Sequence, residues 1–240
     1  MSDEGLLRPP GAAGGGPPPS LAGAPPPEGG LEHAFLTVWL HPRATIRRIV
    51  AVDPSYGVVP LAAIVGITQV LASMSRRPGA DTSLANLLLG AVVGGPVFGI
   101  FALYAGAWLT RLTGRWWLHG QGSPAELRAA FGWASLAQVV MLPLWLLATA
   151  AFGLSLYTES GSDLAARSPV YALFAGAVVV LQIWGVVIVS AGIAEVQGYR
   201  SGWKGFWNLV LVLLLVVGAA VVVSVVIVGL AALAGGLLRR

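Results

Sequence analysis

The sequence predicts an all-α integral membrane bundle of five transmembrane helices preceded by amphipathic interfacial helices. Two observations carry that expectation. Apolar residues make up 56% of the 240 positions, charged residues only 10%, and the mean hydropathy is +0.80, whereas soluble domains carry about 25% charged residues. The apolar positions also gather into five charge-free windows: Pro54 to Ser75, Thr82 to Thr110, Ala129 to Thr158, Ser168 to Ala194 and Gly205 to Leu238. Each exceeds the roughly 20 residues that carry a helix across a bilayer.

Residues 1–30 are dominated by Gly, Pro and Ala, with proline runs at Pro17 to Pro19 and Pro25 to Pro27. Such a segment has too few apolar side chains to offset the entropy of ordering, so it reads as a disordered cytoplasmic tail. It lacks the basic start and apolar core of a secretory leader. Residues 31–52 read as basic amphipathic interfacial helices. Phe35, Leu36, Trp39 and Leu40 recur at helical spacing, and Pro42 suits the first turn of a new helix. After it, Ile46, Ile49 and Val50 share one face and Arg43 and Arg47 another. On a membrane surface, Trp39, Arg43, Arg47 and Arg48 would be the contacts to lipid headgroups.

Residues 53–240 hold the spans, at about 57–75, 84–110, 129–153, 169–193 and 206–236. Pro60 and Pro169 suit first-turn positions, and Ser123, Pro124 and Glu126 spell a capping box, so the third helix begins near Pro124. The last window is long enough to tilt or to be two segments, but it holds no charge or proline to support a hairpin, which favours five spans over six. Basic residues set the orientation. One side of the spans carries Arg8, Arg43, Arg47, Arg48, Arg111, Arg115, Arg128, Arg200 and Lys204; the other carries Arg76, Arg77, Arg167, Arg239 and Arg240. This places the N-terminus in the cytoplasm and the C-terminus outside. The preference for Arg over Lys, with abundant Ala, Gly, Val and Pro, points to a GC-rich bacterial coding bias and hence to a bacterial cytoplasmic (inner) membrane.

Within the second span, Gly90 and Gly94, then Gly95 and Gly99, form two G-x-x-x-G pairs, a spacing that lets helix backbones approach closely. These pairs suit packing within the chain or a homo-oligomer seam, and Pro96 should bend the helix. Polar residues in the spans are few: Gln69, Asn86, Gln138 and Gln182, with Glu195 at the end of the fourth. In hydrocarbon such amides need partners on other helices. Glu195, next to Gln197 and Arg200, reads as a solvated or salt-bridged helix end.

Catalytic, cofactor and metal residues are not found. Cysteine is absent, and His33, His41 and His119 are far apart with no i, i+4 pair. Gly153, Leu154 and Ser155 faintly match an intramembrane serine-protease motif, but every histidine precedes Ser155 and none lies in a span. The net charge of +4 is scattered between apolar runs, which argues against nucleic acid.

Three groups of residues resemble the Yip1 domain family in its bacterial branch: Pro42 to Ile49 before the first span; Gly120 to Pro124 with Phe131, Gly132, Trp133, Ala134 and Pro143; and Trp184 with Gly198 to Ser201, Lys204 and Gly205. The resemblance implies a five-helix domain with a cytoplasmic N-terminus and an external C-terminus. Eukaryotic relatives bind Rab-type GTPases in vesicle traffic. This chain lacks their Asp-Leu-Tyr-Gly-Pro segment, so the resemblance does not carry Rab-type binding over to it.

The expected role is therefore a non-enzymatic membrane scaffold that needs no cofactor. It would bind protein partners or organise the bilayer. The competing expectation is a small-solute or ion permease, with Gln69, Gln138 and Gln182 lining a path and Glu195 at its mouth. A fluorescent protein fused to the C-terminus tests the orientation: it should stay dark if that end is external, and a bright fusion would reverse the topology.

Overall fold

The computed structural model describes residues 31–76 and 83–237, and all of its long elements are helices. A short helix α1 (Ala34–Thr37) leads to α2 (Pro42–Val52). The five helices long and apolar enough to cross a membrane follow: α3 (Val58–Arg76), α4 (Leu84–Leu118), α5 (Pro124–Phe152), α8 (Pro169–Val196) and α9 (Gly202–Leu237). Between α5 and α8 lie two short helices, α6 (Ser155–Thr158) and α7 (Gly161–Arg167). The proline-rich tail expected over residues 1–30, and Arg77, lie outside the described residues.

Local chemistry sets most boundaries. Ser123 and Glu126 form the reciprocal capping box, with Pro124 in the first turn of α5. Pro42 and Pro169 open α2 and α8 in the same position. Before α3, Gly57 adopts φ +66° beneath the Trp133 ring, whose Nε1 donates to Tyr56 O at 2.7 Å. The Trp133 and Tyr56 rings stack at 5.8 Å. One tryptophan of α5 thus holds the turn that feeds α3.

Helix α4 departs from the sequence expectation at its end. It runs past residue 110 through Arg111 and Arg115 to Leu118, where His119 turns left-handed at φ 57°. Charge ends a hydropathy window, but it does not end a helix. Pro96 is absorbed without a break: the preceding turn, Gly90–Gly94, is π-helical, and α-helical geometry resumes at Gly95. A wider turn relieves the missing N–H and the clash that proline brings to a helix interior.

Helices α3 and α4 make the closest crossing. A Cβ at Gly66 would overlap Gly95 O, and one at Gly99 would overlap Ala62 O. Gly90 faces Met74 and Val70 of α3, while Gly94 has nothing within 4 Å. The Gly95 and Gly99 pair is therefore spent inside the chain. Helices α8 and α9 repeat the device once, where Gly205 lies against Ser190 O.

Two apolar clusters sit at opposite ends. Ile46, Ile49, Leu127, Trp133 and Ile188 join α2 to α5 and α8. Leu71, Met141, Trp145, Tyr157 and Tyr171 gather under α6 and α7, where Trp145 meets Phe174 edge-on at 5.2 Å. Beyond its first turns α9 has little protein against it: none of its spanning window is buried. Its 36 residues would extend about 54 Å, longer than a hydrocarbon core of about 30 Å.

Gly99→Val should destabilise the bundle by about 1–3 kcal/mol or more, because the backbone across the crossing cannot retreat. Gly94→Ala should be neutral. Unfolding titrations in mixed micelles of the two variants check both outcomes.

Candidate functional site

At the end of the bundle where α2 packs, polar and charged groups converge on the last turn of α8. Glu195 is 7% exposed there. Arg43 Nε donates to its Oε2 at 3.0 Å and Arg47 Nε to its Oε1 at 2.6 Å. The two arginines are one turn apart on α2, which puts both guanidiniums on one face. Arg43 reaches further, donating from Nη2 to Tyr199 O at 2.6 Å and from Nη1 to Arg200 O at 3.2 Å. It thereby ties the α8 to α9 connection to α2. The hydrogen bond and the charge of Glu195 push the Arg47 guanidinium above its ordinary value.

Gln197 forms a second hub, 2% exposed. Its Nε2 donates to Thr110 O at 3.1 Å, its Oε1 accepts from Gly122 N–H at 3.1 Å, and its backbone O accepts from Gln121 N–H at 3.3 Å. One amide thus joins the end of α4 to the loop before α5. Asn208, fully buried in α9, donates to Thr110 O at 3.3 Å and to the Tyr199 hydroxyl at 3.4 Å, and accepts from Thr113 Oγ1 at 2.5 Å. Glycine makes this closeness possible, since a Cβ at Gly114 or Gly120 would overlap the Gln197 amide. Burial pushes the Tyr199 phenol up to about 12, although its bond to Asn208 pulls the other way.

The residues expected to meet lipid are placed differently from one another. Arg43 and Arg47 turn towards Glu195 instead of leaving both guanidiniums to headgroups. Arg48 is half-buried, and Trp39 is half-buried against the apolar cluster. The physical cause is the Glu195 carboxylate, which both guanidiniums bond, while Ile46 and Ile49 on the adjoining face are fully buried against the bundle.

The set expected to line a solute path is split. Gln69 Nε2 donates to Gln138 Oε1 at 2.9 Å, inside a cavity of about 340 Å³ between α3, α4 and α5. Gln182 is half-buried on α8, does not line that cavity, and has no side-chain hydrogen bond to a described residue. Glu195 lies at the basic end under its two arginines. Among the described residues no group of histidine and carboxylate side chains could hold a metal ion.

Gln197, Asn208 and Thr113 were not anticipated as site residues, nor was Gly66 as the partner of Gly95 and Gly99. Asn208 carried a readable signal, an amide just inside the last apolar window that must find a partner. Gly66 carried another, since Ala62 and Gly66 repeat on α3 the small-residue spacing of α4. Gln197 sat in a polar connection and carried none.

Most of the segments that carry the family resemblance meet here. Pro42 to Ile49 supplies the arginines, Gly120 to Pro124 the loop held by Gln197, and Gly198 to Ser201 the carbonyls that Arg43 engages. A family model, Yip1 domain, matches residues 36–225. The match takes in α2 as well as the spans. No curated protein and no solved structure matches the chain.

Gln197→Leu should cost about 1–3 kcal/mol for the orphaned Gly122 N–H alone, read as a lower unfolding midpoint. The Tyr199 shift has a definite sign. The folded chain holds the phenolic proton more tightly than the unfolded one, so this contribution is complete below pH about 10 and is lost as pH climbs through about 12. The tyrosinate absorbance of the parent minus that of Tyr199→Phe should therefore show ionisation only near the upper value.

Proposed function

The chain belongs to the Yip1 domain family, and we propose that it is a non-enzymatic scaffold of its membrane, presenting the α1–α2 surface to protein partners at the bilayer edge. The observation that carries this reading is the clamp of Arg43 and Arg47 on Glu195, which fixes α2 against the bundle and so fixes what its outer side displays. Leading into α2, Phe35 and Leu36 of α1 and Leu40 of the connecting turn are exposed, with Leu40 at 78%. Large apolar side chains held rigidly next to cations suit an interfacial docking surface.

The orientation belongs to the same proposal. Arg43, Arg47, Arg48, Arg111, Arg115, Arg128, Arg200 and Lys204 all belong to the end where α2 packs, which favours the cytoplasmic side for that end and the outside for the C-terminus. The preference for Arg over Lys supports a bacterial cytoplasmic membrane.

Photocrosslinking residues placed at Leu36 and Leu40 of the full chain, in its native membrane, test the reading. They should capture discrete protein adducts, while the same probe at Leu173, exposed on α8 towards the other end, should capture only lipid. Identical adduct patterns from all three positions would overturn the scaffold proposal.

A further inference from the structure

The last two turns of α4 form one wall of a second feature. Arg111 and Arg115, one turn apart, face Gly120, Gln121 and Gly122 across a cavity of about 260 Å³. Neither guanidinium makes an ion pair or a hydrogen bond with any described residue. Nearby carboxylates are committed elsewhere: Glu126 accepts from Ser123 N–H at 2.7 Å in the capping box, and Glu195 holds Arg43 and Arg47. Two like charges at i, i+4 repel each other unless an anion sits between them. At an end where Gln197, Asn208 and Glu195 are each paired, these two guanidiniums are left facing a cavity.

The opposite wall is rigid. Gly120 N–H is bonded to Gly114 O at 2.9 Å, Gln121 N–H to Gln197 O at 3.3 Å, and Gly122 N–H to Gln197 Oε1 at 3.1 Å. With its amides tied back in this way the loop is fixed opposite the arginines, and it carries no carboxylate to pair with them. The π-helical turn Gly114–Leu118 carries Arg115 together with Trp116 and Trp117, which are 63% and 51% exposed. Exposed tryptophans at the end of a span mark the headgroup layer. Arg128, the next arginine along the chain, stacks over the Tyr104 ring at 5.2 Å and belongs to another contact.

We propose that Arg111 and Arg115 form a binding site for the phosphate of an anionic phospholipid headgroup, with Trp116 and Trp117 holding the site at that depth. Guanidinium forks match phosphate oxygens in pairs, and a lysine would supply only a point charge. A free phosphate ion offers the same oxygens, but the tryptophans and the position at the end of a span favour the lipid. This site goes beyond the scaffold reading and stands whether or not Leu36 and Leu40 find a protein partner.

Native mass spectrometry of the full-length protein released from mixed phosphatidylglycerol and phosphatidylcholine micelles tests it. The parent should retain phosphatidylglycerol in preference to phosphatidylcholine. Arg111→Gln with Arg115→Gln should weaken that retention by about tenfold or more, the scale of one lost charged hydrogen bond. Arg111→Lys with Arg115→Lys should fall between, and circular dichroism should report the parent's helix content for each. Arg200→Gln with Lys204→Gln removes the same charge from exposed positions nearby and should leave retention unchanged. Equal loss in that control would mean diffuse surface charge and overturn the site. Retention unchanged in the Arg111 and Arg115 double variant, or displacement of the lipid by millimolar inorganic phosphate, would overturn it as well.

Discussion

Glu195 ends an otherwise uncharged helix, at a place where a carboxylate without counter-charges is costly to bury. Two arginines of α2 meet that demand, and the rest of the basic end follows from their doing so. Fixing Arg43 fixes the carbonyls of Tyr199 and Arg200, which sets the course of the chain from α8 into α9. Fixing α2 buries Ile46 and Ile49 and leaves Leu36 and Leu40 outside. The exposed parts of both guanidiniums limit what each bond contributes. Their effect is positional: they determine which of several available faces α2 turns inward.

Close packing and polar satisfaction are divided along the bundle. In the middle, α3 and α4 touch through glycine, where association depends on van der Waals contact and not on escape from water. At the basic end the helices are joined by amides: Gln197 and Asn208 both converge on Thr110 O. The far end relies on aromatic rings, Phe152, Tyr171, Phe174 and Trp145. Most of α9 has only α8 and the end of α4 beside its first turns, and its remaining apolar length suits lipid.

The five spans and the start of α5 were legible because they depend on local signals, a charge-free run and a capping box. The polar rule for membranes was legible too, in that Gln69 and Gln138 needed a partner and found each other. What could not be read was the direction of a face. Spacing placed Arg43 with Arg47, and Ile46 with Ile49, yet the choice between headgroup and protein depended on Glu195, 152 residues further along the chain. The glycine pairs were equally ambiguous. Gly95 and Gly99 became a seam because Gly66 stands opposite, while Gly94, with the same local credentials, faces open space. Membership of the Yip1 domain family was readable from short segments that looked unspecific singly, and most of them prove to be neighbours in space.

The central claim is that Glu195 holds α2 on the bundle, and a spin-label distance measures it directly. The chain has no cysteine, so Ala51→Cys on the exposed side of α2 and Leu173→Cys near the start of α8 give a unique pair. In bilayers the two labels should show one narrow distance, and adding Glu195→Gln should broaden it. An equally narrow distribution after Glu195→Gln would contradict the account and leave apolar packing alone as what holds α2 in place.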